Sequence, residues 1–151
     1  HGRDRRQRQM CIRDSNTPSQ LVISGSVEGI QQTSLLLAEK GARVIPLTVG
    51  GAFHSPLMES AKTSLQQAIE GTNFRKPSCP IYQNVTAQAT TDVDVIRTNL
   101  INQLTGSVRW SQTIENMLSN GVEQFIEVGG KGRILLGMVR KINRKAQMQM
   151  L

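Results

Sequence analysis

The sequence predicts an α/β fold, and three observations carry that prediction. Apolar residues recur at helical spacing in several stretches of the 151-residue chain, short β-type runs alternate with them, and Ser, Asp or Gly residues stand where helices would begin or end. Leu21–Ser24 reads as a strand, Glu28–Lys40 as a helix stopped by Gly41, and Arg43–Thr48 as a second strand, a βαβ-like unit. Ser55 suits a helix N-cap and Pro56 the first helical position, so a helix is expected over 56–70, with Leu57, Met58, Ala61, Leu65, Ala68 and Ile69 at helical spacing and Gly71 at its end. A strand follows around Ile81–Val85. Asp92 is a fitting N-cap for a helix carrying Val93, Ile96, Leu100 and Leu104. Trp110, Ile114, Met117 and Leu118 mark another that stops at Asn120-Gly121. Val122–Val128 has the character of a buried strand, and a glycine turn leads to a last helix with Ile134, Leu135, Met138, Val139 and Ile142 on one face. The tail from Ala146 to Leu151 is expected to fray.

Composition narrows the function classes. The chain carries a formal charge of +7, but residues 1–15 hold five arginines and two aspartates, and the remainder is only +4. That leading segment is polar, has no periodic apolar face, and resembles translated adapter sequence; it is read as a non-native or disordered leader. It has no apolar stretch of the kind a signal peptide needs. No run is long enough to span a bilayer, so no membrane association is expected. Cys11 and Cys79 offer neither a disulfide framework nor a metal-ligand spacing, which fits a reducing cytoplasm and no bound metal. The basic residues of the final stretch, Arg133, Arg140, Lys141, Arg144 and Lys145, are explained by a solvated helix C-terminus or by a docking face for an acidic partner. The turn Gly129-Gly130-Lys131-Gly132-Arg133 matches neither the P-loop nor the dinucleotide fingerprint.

His54 is the one histidine outside the leader, and it lies between a β-type run and the start of a helix. The N-terminal end of a helix dipole disfavours a positively charged ring, and a neutral ring is the state a general base requires. A structural hydrogen-bonding role is the alternative.

The segment Gly51-Ala52-Phe53-His54-Ser55-Pro56-Leu57-Met58 resembles the histidine segment of the malonyl-CoA:acyl carrier protein transacylases and of related acyltransferase domains. Four further blocks resemble the same family in the same order: Asn16-Thr17-Pro18-Ser19-Gln20-Leu21-Val22-Ile23-Ser24-Gly25, Pro80-Ile81-Tyr82-Gln83-Asn84-Val85-Thr86, Asn102 to Trp110, and Phe125-Ile126-Glu127-Val128-Gly129. The Gly-His-Ser-x-Gly nucleophile elbow of that family is not among them; Ser24-Gly25-Ser26-Val27-Glu28-Gly29 has the wrong spacing. The family's carboxylate-binding arginine belongs to the same missing portion. The turn at 129–133 departs from the family's Gly-Pro-Gly-Lys.

The resemblance implies a C-terminal portion of an acyltransferase, inactive alone. Residues 16–48 would be the second half of a ferredoxin-like small subdomain, and 49–145 the C-terminal part of an α/β-hydrolase-like large domain, followed by the tail 146–151. It implies malonyl transfer from malonyl-CoA to the phosphopantetheine thiol of acyl carrier protein in fatty-acid biosynthesis, with no bound cofactor. His54 would be the base and the backbone carbonyl of Gln103 its orienting group. Phe53 would favour malonyl over methylmalonyl, and Asn16 and Asn84 would lie close to the substrate. An acyltransferase domain of a polyketide or multidomain fatty-acid synthase is one alternative. A noncatalytic module binding a carrier protein or nucleic acid is another, although the transacylase reading implies no nucleic-acid partner.

Overall fold

A computed structural model describes residues 12–129 and 133–151 of the chain. Its elements are β1 (Ile12–Thr17), β2 (Gln20–Ser24), α1 (Val27–Glu39), a 3-10 turn (Pro56–Met58), α2 (Glu59–Glu70), β3 (Ile81–Tyr82), β4 (Ala89–Thr90), α3 (Val93–Gln103), α4 (Trp110–Ser119), β5 (Gln124–Glu127), α5 (Ile134–Ile142) and β6 (Gln147–Met150). Helices and strands both contribute, as an α/β chain requires. Among the described residues three two-stranded sheets result: the antiparallel pairs β1–β2 and β3–β4, and the parallel pair β5–β6.

Local chemistry explains the helix boundaries. The Ser26 hydroxyl accepts from Gly29 N at 3.1 Å to start α1, and Gly41 with φ +80 ends it, a left-handed conformation that costs glycine little. Asp92 Oδ1 accepts from Asp94 N and Val95 N at 2.8 and 3.1 Å, capping α3 as expected. Ser55 and Pro56 open the second helical segment, but through a 3-10 turn before α2 begins at Glu59. Glu127 caps α5 from a distance: its two carboxylate oxygens accept from Leu135 N at 3.3 Å and Leu136 N at 3.1 Å, an anion on a helix N-terminus.

The core lies among the later helices. Ile69 of α2, Ile96 of α3, Ile114 of α4, and Leu136 and Val139 of α5 are buried, together with Ala87. α2 packs on α3, α4 on α5, and β1 lies against both α4 and α5. By contrast α1 buries no residue.

Several expectations are corrected. Arg43–Thr48 forms no strand, because a β-type run becomes a strand only against a partner, and no described strand lies beside this one. The βαβ-like unit expected there is absent; the hairpin β1–β2 takes its place, and a β-α-β unit occurs instead at β5-α5-β6. The strand expected through Val85 ends at Tyr82, since Thr86 N and Ala87 N both turn back onto the Gln83 carbonyl, at 3.2 and 2.8 Å. The tail read as fraying is strand β6. Gln147 N donates to Glu123 O and Leu151 N to Glu127 O, both at 3.0 Å, so the open edge of β5 orders it. Residues 1–11 of the expected leader lie outside the described residues. Ile12–Ser15 do not fit a disordered leader: they pair with Leu21–Ser24, and Ser15 N donates to Val108 O at 2.8 Å.

The unpartnered run at 43–49 and the outer face of α1 leave Leu35, Leu36, Ile45, Leu47 and Val49 exposed, close together in sequence. Such a surface drives association. Replacement of Leu47, which is 59% exposed, by lysine is expected to reduce light scattering of the isolated chain while changing its unfolding free energy by less than about 0.5 kcal/mol. Unchanged scattering would place the association surface elsewhere.

Candidate active site

His54 sits in the loop between α1 and α2 with φ +59, in the left-handed region. Few residue types other than glycine adopt that conformation readily, histidine being among the more tolerant. The loop is tied down on both sides of it. Ser24 Oγ donates to Phe53 O at 2.7 Å, and the buried Ser55 donates to Ala52 O at 2.7 Å while accepting from Leu57 N at 3.3 Å.

The imidazole reaches across to the end of α3, where His54 Nδ1 lies 2.9 Å from Gln103 O. That carbonyl is available because the last carbonyls of a helix lack an intrahelical partner. A carbonyl can only accept, so Nδ1 carries a proton, and in the neutral ring Nε2 presents its lone pair. The Gln103 side-chain nitrogen also lies 3.5 Å from Nδ1, but two donors cannot bond each other, and this nitrogen donates instead to Gly106 O at 2.9 Å. Among the described residues nothing hydrogen-bonds Nε2. The ring therefore stands between the N-terminal side of the 3-10 turn and the C-terminal end of α3. These two ends carry opposite partial charges.

The loop from Leu104 to Arg109 gathers the rest of the site. Gln103 bonds its Gly106 carbonyl, Val108 N donates to Asp14 Oδ1 at 2.7 Å, and Arg109 N donates to Asn84 O at 2.9 Å. Asn84 thus joins the site through its backbone. Asn16 follows Ser15 in β1, next to Val108, and is half-buried. Phe53 is 50% exposed, and a Cβ added to Gly51 would meet its ring at 3.7 Å, so the ring lies over the Gly51 backbone. Burial raises the Asp14 carboxyl above its ordinary pKa, while the Val108 N–H and, when it is protonated, the His54 ring act in the opposite direction.

Sequence reading missed Asp14, Ser24 and Gly106. Asp14 fell inside the presumed leader, Ser24 was read as a strand end opening a segment with the wrong spacing for a nucleophile elbow, and Gly106 has no local signature beyond being a glycine. Its need is steric: a Cβ there would lie 2.8 Å from Asn102 O and 2.9 Å from Val85 Cγ2. Gly106→Ala is expected to cost about 1–3 kcal/mol by overpacking and to disturb the His54–Gln103 contact. Chemical denaturation with the His54 ring signals as a second probe checks this, and a neutral substitution would refute the packing argument.

No described helix is long and apolar enough to cross a membrane. Among the described residues no group of His, Cys, Asp or Glu could hold a metal ion. Cys79 is a free, exposed thiol.

A mixed α/β chain that holds an imidazole by one nitrogen and leaves the other open has the means to take a proton from a hydroxyl or thiol. That is the chemistry of histidine-assisted group transfer. The chain belongs to the acyl transferase domain family, whose model matches residues 3–149. It is 40% identical over 131 residues to the malonyl CoA-acyl carrier protein transacylase of Bacillus subtilis, covering 86% of this chain and 41% of that protein. The structure resembles that of an acyl-carrier-protein S-malonyltransferase from Bartonella henselae, with a TM-score of 0.87, 33% identity, and coverage of 93% of this chain and 45% of that one. It also resembles a malonyl-transacylase solved in complex with a type II PKS acyl-carrier protein, with a TM-score of 0.86, 32% identity, and coverage of 95% and 46%. The chain spans less than half the length of the curated relatives it matches.

Proposed function

We propose that this chain is the histidine-bearing part of a malonyl-CoA:acyl carrier protein transacylase of fatty-acid biosynthesis, working in the cytoplasm and without a bound cofactor. The observation that carries the reading is the 2.9 Å contact of His54 Nδ1 with the Gln103 carbonyl, which leaves Nε2 as the acceptor. Residues 16–48 are assigned to a ferredoxin-like small subdomain and 49–145 to an α/β-hydrolase-like large domain. A serine outside this chain supplies the nucleophile, so the chain alone is inactive.

In the first half-reaction Nε2 takes the serine proton as the hydroxyl oxygen attacks the thioester carbonyl of malonyl-CoA. The intermediate collapses with cleavage of the C–S bond, and the proton passes to the departing coenzyme A thiolate. In the second half, Nε2 takes the proton of the carrier's phosphopantetheine thiol, whose sulfur attacks the malonyl ester and restores the serine, which recovers its proton from the imidazole. The Gln103 carbonyl holds the tautomer throughout without adding a negative charge. Phe53 occupies the space an α-methyl would need, and Asn16 and Asn84 frame the substrate cleft. An open groove of ≈ 560 Å³ lined by Ser19, Arg140, Lys141 and Arg144 is suited by charge to an acidic carrier protein or to coenzyme A phosphates.

The test is a hybrid enzyme in which this chain, from Asn16 onward, continues the part of the Bacillus subtilis relative that precedes the match. Transfer of malonyl from malonyl-CoA to holo acyl carrier protein, dependent on His54, is the expected result. A folded hybrid that leaves malonyl-CoA untouched would refute the reading.

A further inference from the structure

We propose that Ser24 is a positioning residue for His54, locking the peptide plane that precedes it. This inference rests on the reading of His54 as the base. Ser24 ends β2 and lies 29 residues from Phe53, yet its hydroxyl donates to the Phe53 carbonyl at 2.7 Å. A peptide unit is planar, so fixing the Phe53 oxygen also fixes the direction of the His54 N–H and constrains φ of His54. That φ is +59, in the left-handed region that an ordinary L-residue disfavours and that the surroundings must enforce. Rotation of this one peptide would release His54 toward negative φ and swing its ring away from Gln103.

The other anchors cannot do this work. Ser55 bonds Ala52 O and Leu57 N, which lie within the same loop and turn, so it shapes the loop without attaching it to the hairpin. Gln103 holds the ring, not the backbone. Ser24 is thus the described side chain that bonds the carbonyl immediately preceding His54. Its hydroxyl is committed to that carbonyl, which also explains why the near-miss nucleophile motif around it gives no serine bonded to the imidazole.

The experiment uses the 151-residue chain carrying Leu47→Lys, with ¹⁵N-labelled histidine. The His54 signals are assigned by their loss in His54→Asn. The ring-nitrogen shifts report the ratio of Nδ1–H to Nε2–H tautomer, and cross-correlated relaxation reports the sign of φ. Ser24→Ala is expected to lower the tautomer ratio about 2–10-fold, the equivalent of one ordinary hydrogen bond, and to lose the positive φ. Ser24→Thr, which keeps the hydroxyl, should restore both. If the alanine variant does not fold, Ser24→Thr and Ser24→Val decide, because they differ only by a hydroxyl against a methyl. Equal tautomer ratios and φ signs in that pair, or in Ser24→Ala and the parent, would overturn the proposal. The readout needs no turnover, so an inactive hybrid with this result intact would count against the transacylase reading alone.

Discussion

Alanine at position 54 is expected to lower kcat for malonyl transfer in the hybrid enzyme by roughly 10²–10⁴, the usual worth of a positioned general base, with little change in KM. The reason lies in the bonding of the ring. Nδ1 is committed to the Gln103 carbonyl at 2.9 Å, so the open Nε2 is the atom proposed as the proton acceptor. Alanine also removes a residue tolerant of φ +59, so a stability loss of about 1 kcal/mol should accompany the kinetic loss. His54→Asn separates the two effects, because asparagine accepts the left-handed backbone yet cannot shuttle a proton. It should be as inactive as alanine and closer to the parent in denaturation midpoint. Steady-state transfer to holo carrier protein checks the first statement and urea unfolding the second. A His54→Asn enzyme retaining a tenth or more of the parent rate would remove His54 from the chemistry.

The second large effect is structural. Ile114 is 1% exposed in α4, the helix that packs against both β1 and α5. Ile114→Ala is expected to cost about 2–5 kcal/mol, through lost burial and the cavity left behind. That is a large share of the stability of a domain worth some 5–15 kcal/mol. The loss is hard to offset locally. Trp110 Nε1 and Ser111 Oγ at the start of the same helix are buried without a hydrogen-bond partner, so the stability of α4 depends on its apolar contacts. Urea midpoints at constant m-value measure the cost. A change below about 1 kcal/mol would mean that the site collapses around the missing atoms.

The parts of the fold that were legible in the sequence are those specified by local chemistry. Ser55 and Asp92 act as caps, and Gly41 and Gly121 take positive φ at helix ends; the face read for α5 was misplaced, since Val139 is buried but Ile134 and Leu135 are exposed and the buried Leu136 was not part of it. What failed depended on partners. Arg43–Thr48 has a β-type sequence, but a ladder is a property of two segments, and only one is described. β6 failed in the opposite sense: the alternation Gln147-Met148-Gln149-Met150 was present, but only the open edge of β5 makes it a strand. The site divides likewise. His54 and Gln103 were readable because a family motif contains them, whereas Ser24 and Gly106 matter through contacts spanning 29 residues in one case and through a missing Cβ in the other.

The left-handed backbone at His54 also limits how this position can change over generations. Under the proposed function, a lineage released from selection for acyl transfer would still be selected for a folded loop, and φ +59 admits asparagine, aspartate or glycine far more readily than a β-branched residue. Asparagine and aspartate are each a single base change from a histidine codon. A gene losing its activity would therefore drift first to Asn or Asp here, leaving a protein that keeps its shape and has lost its trade.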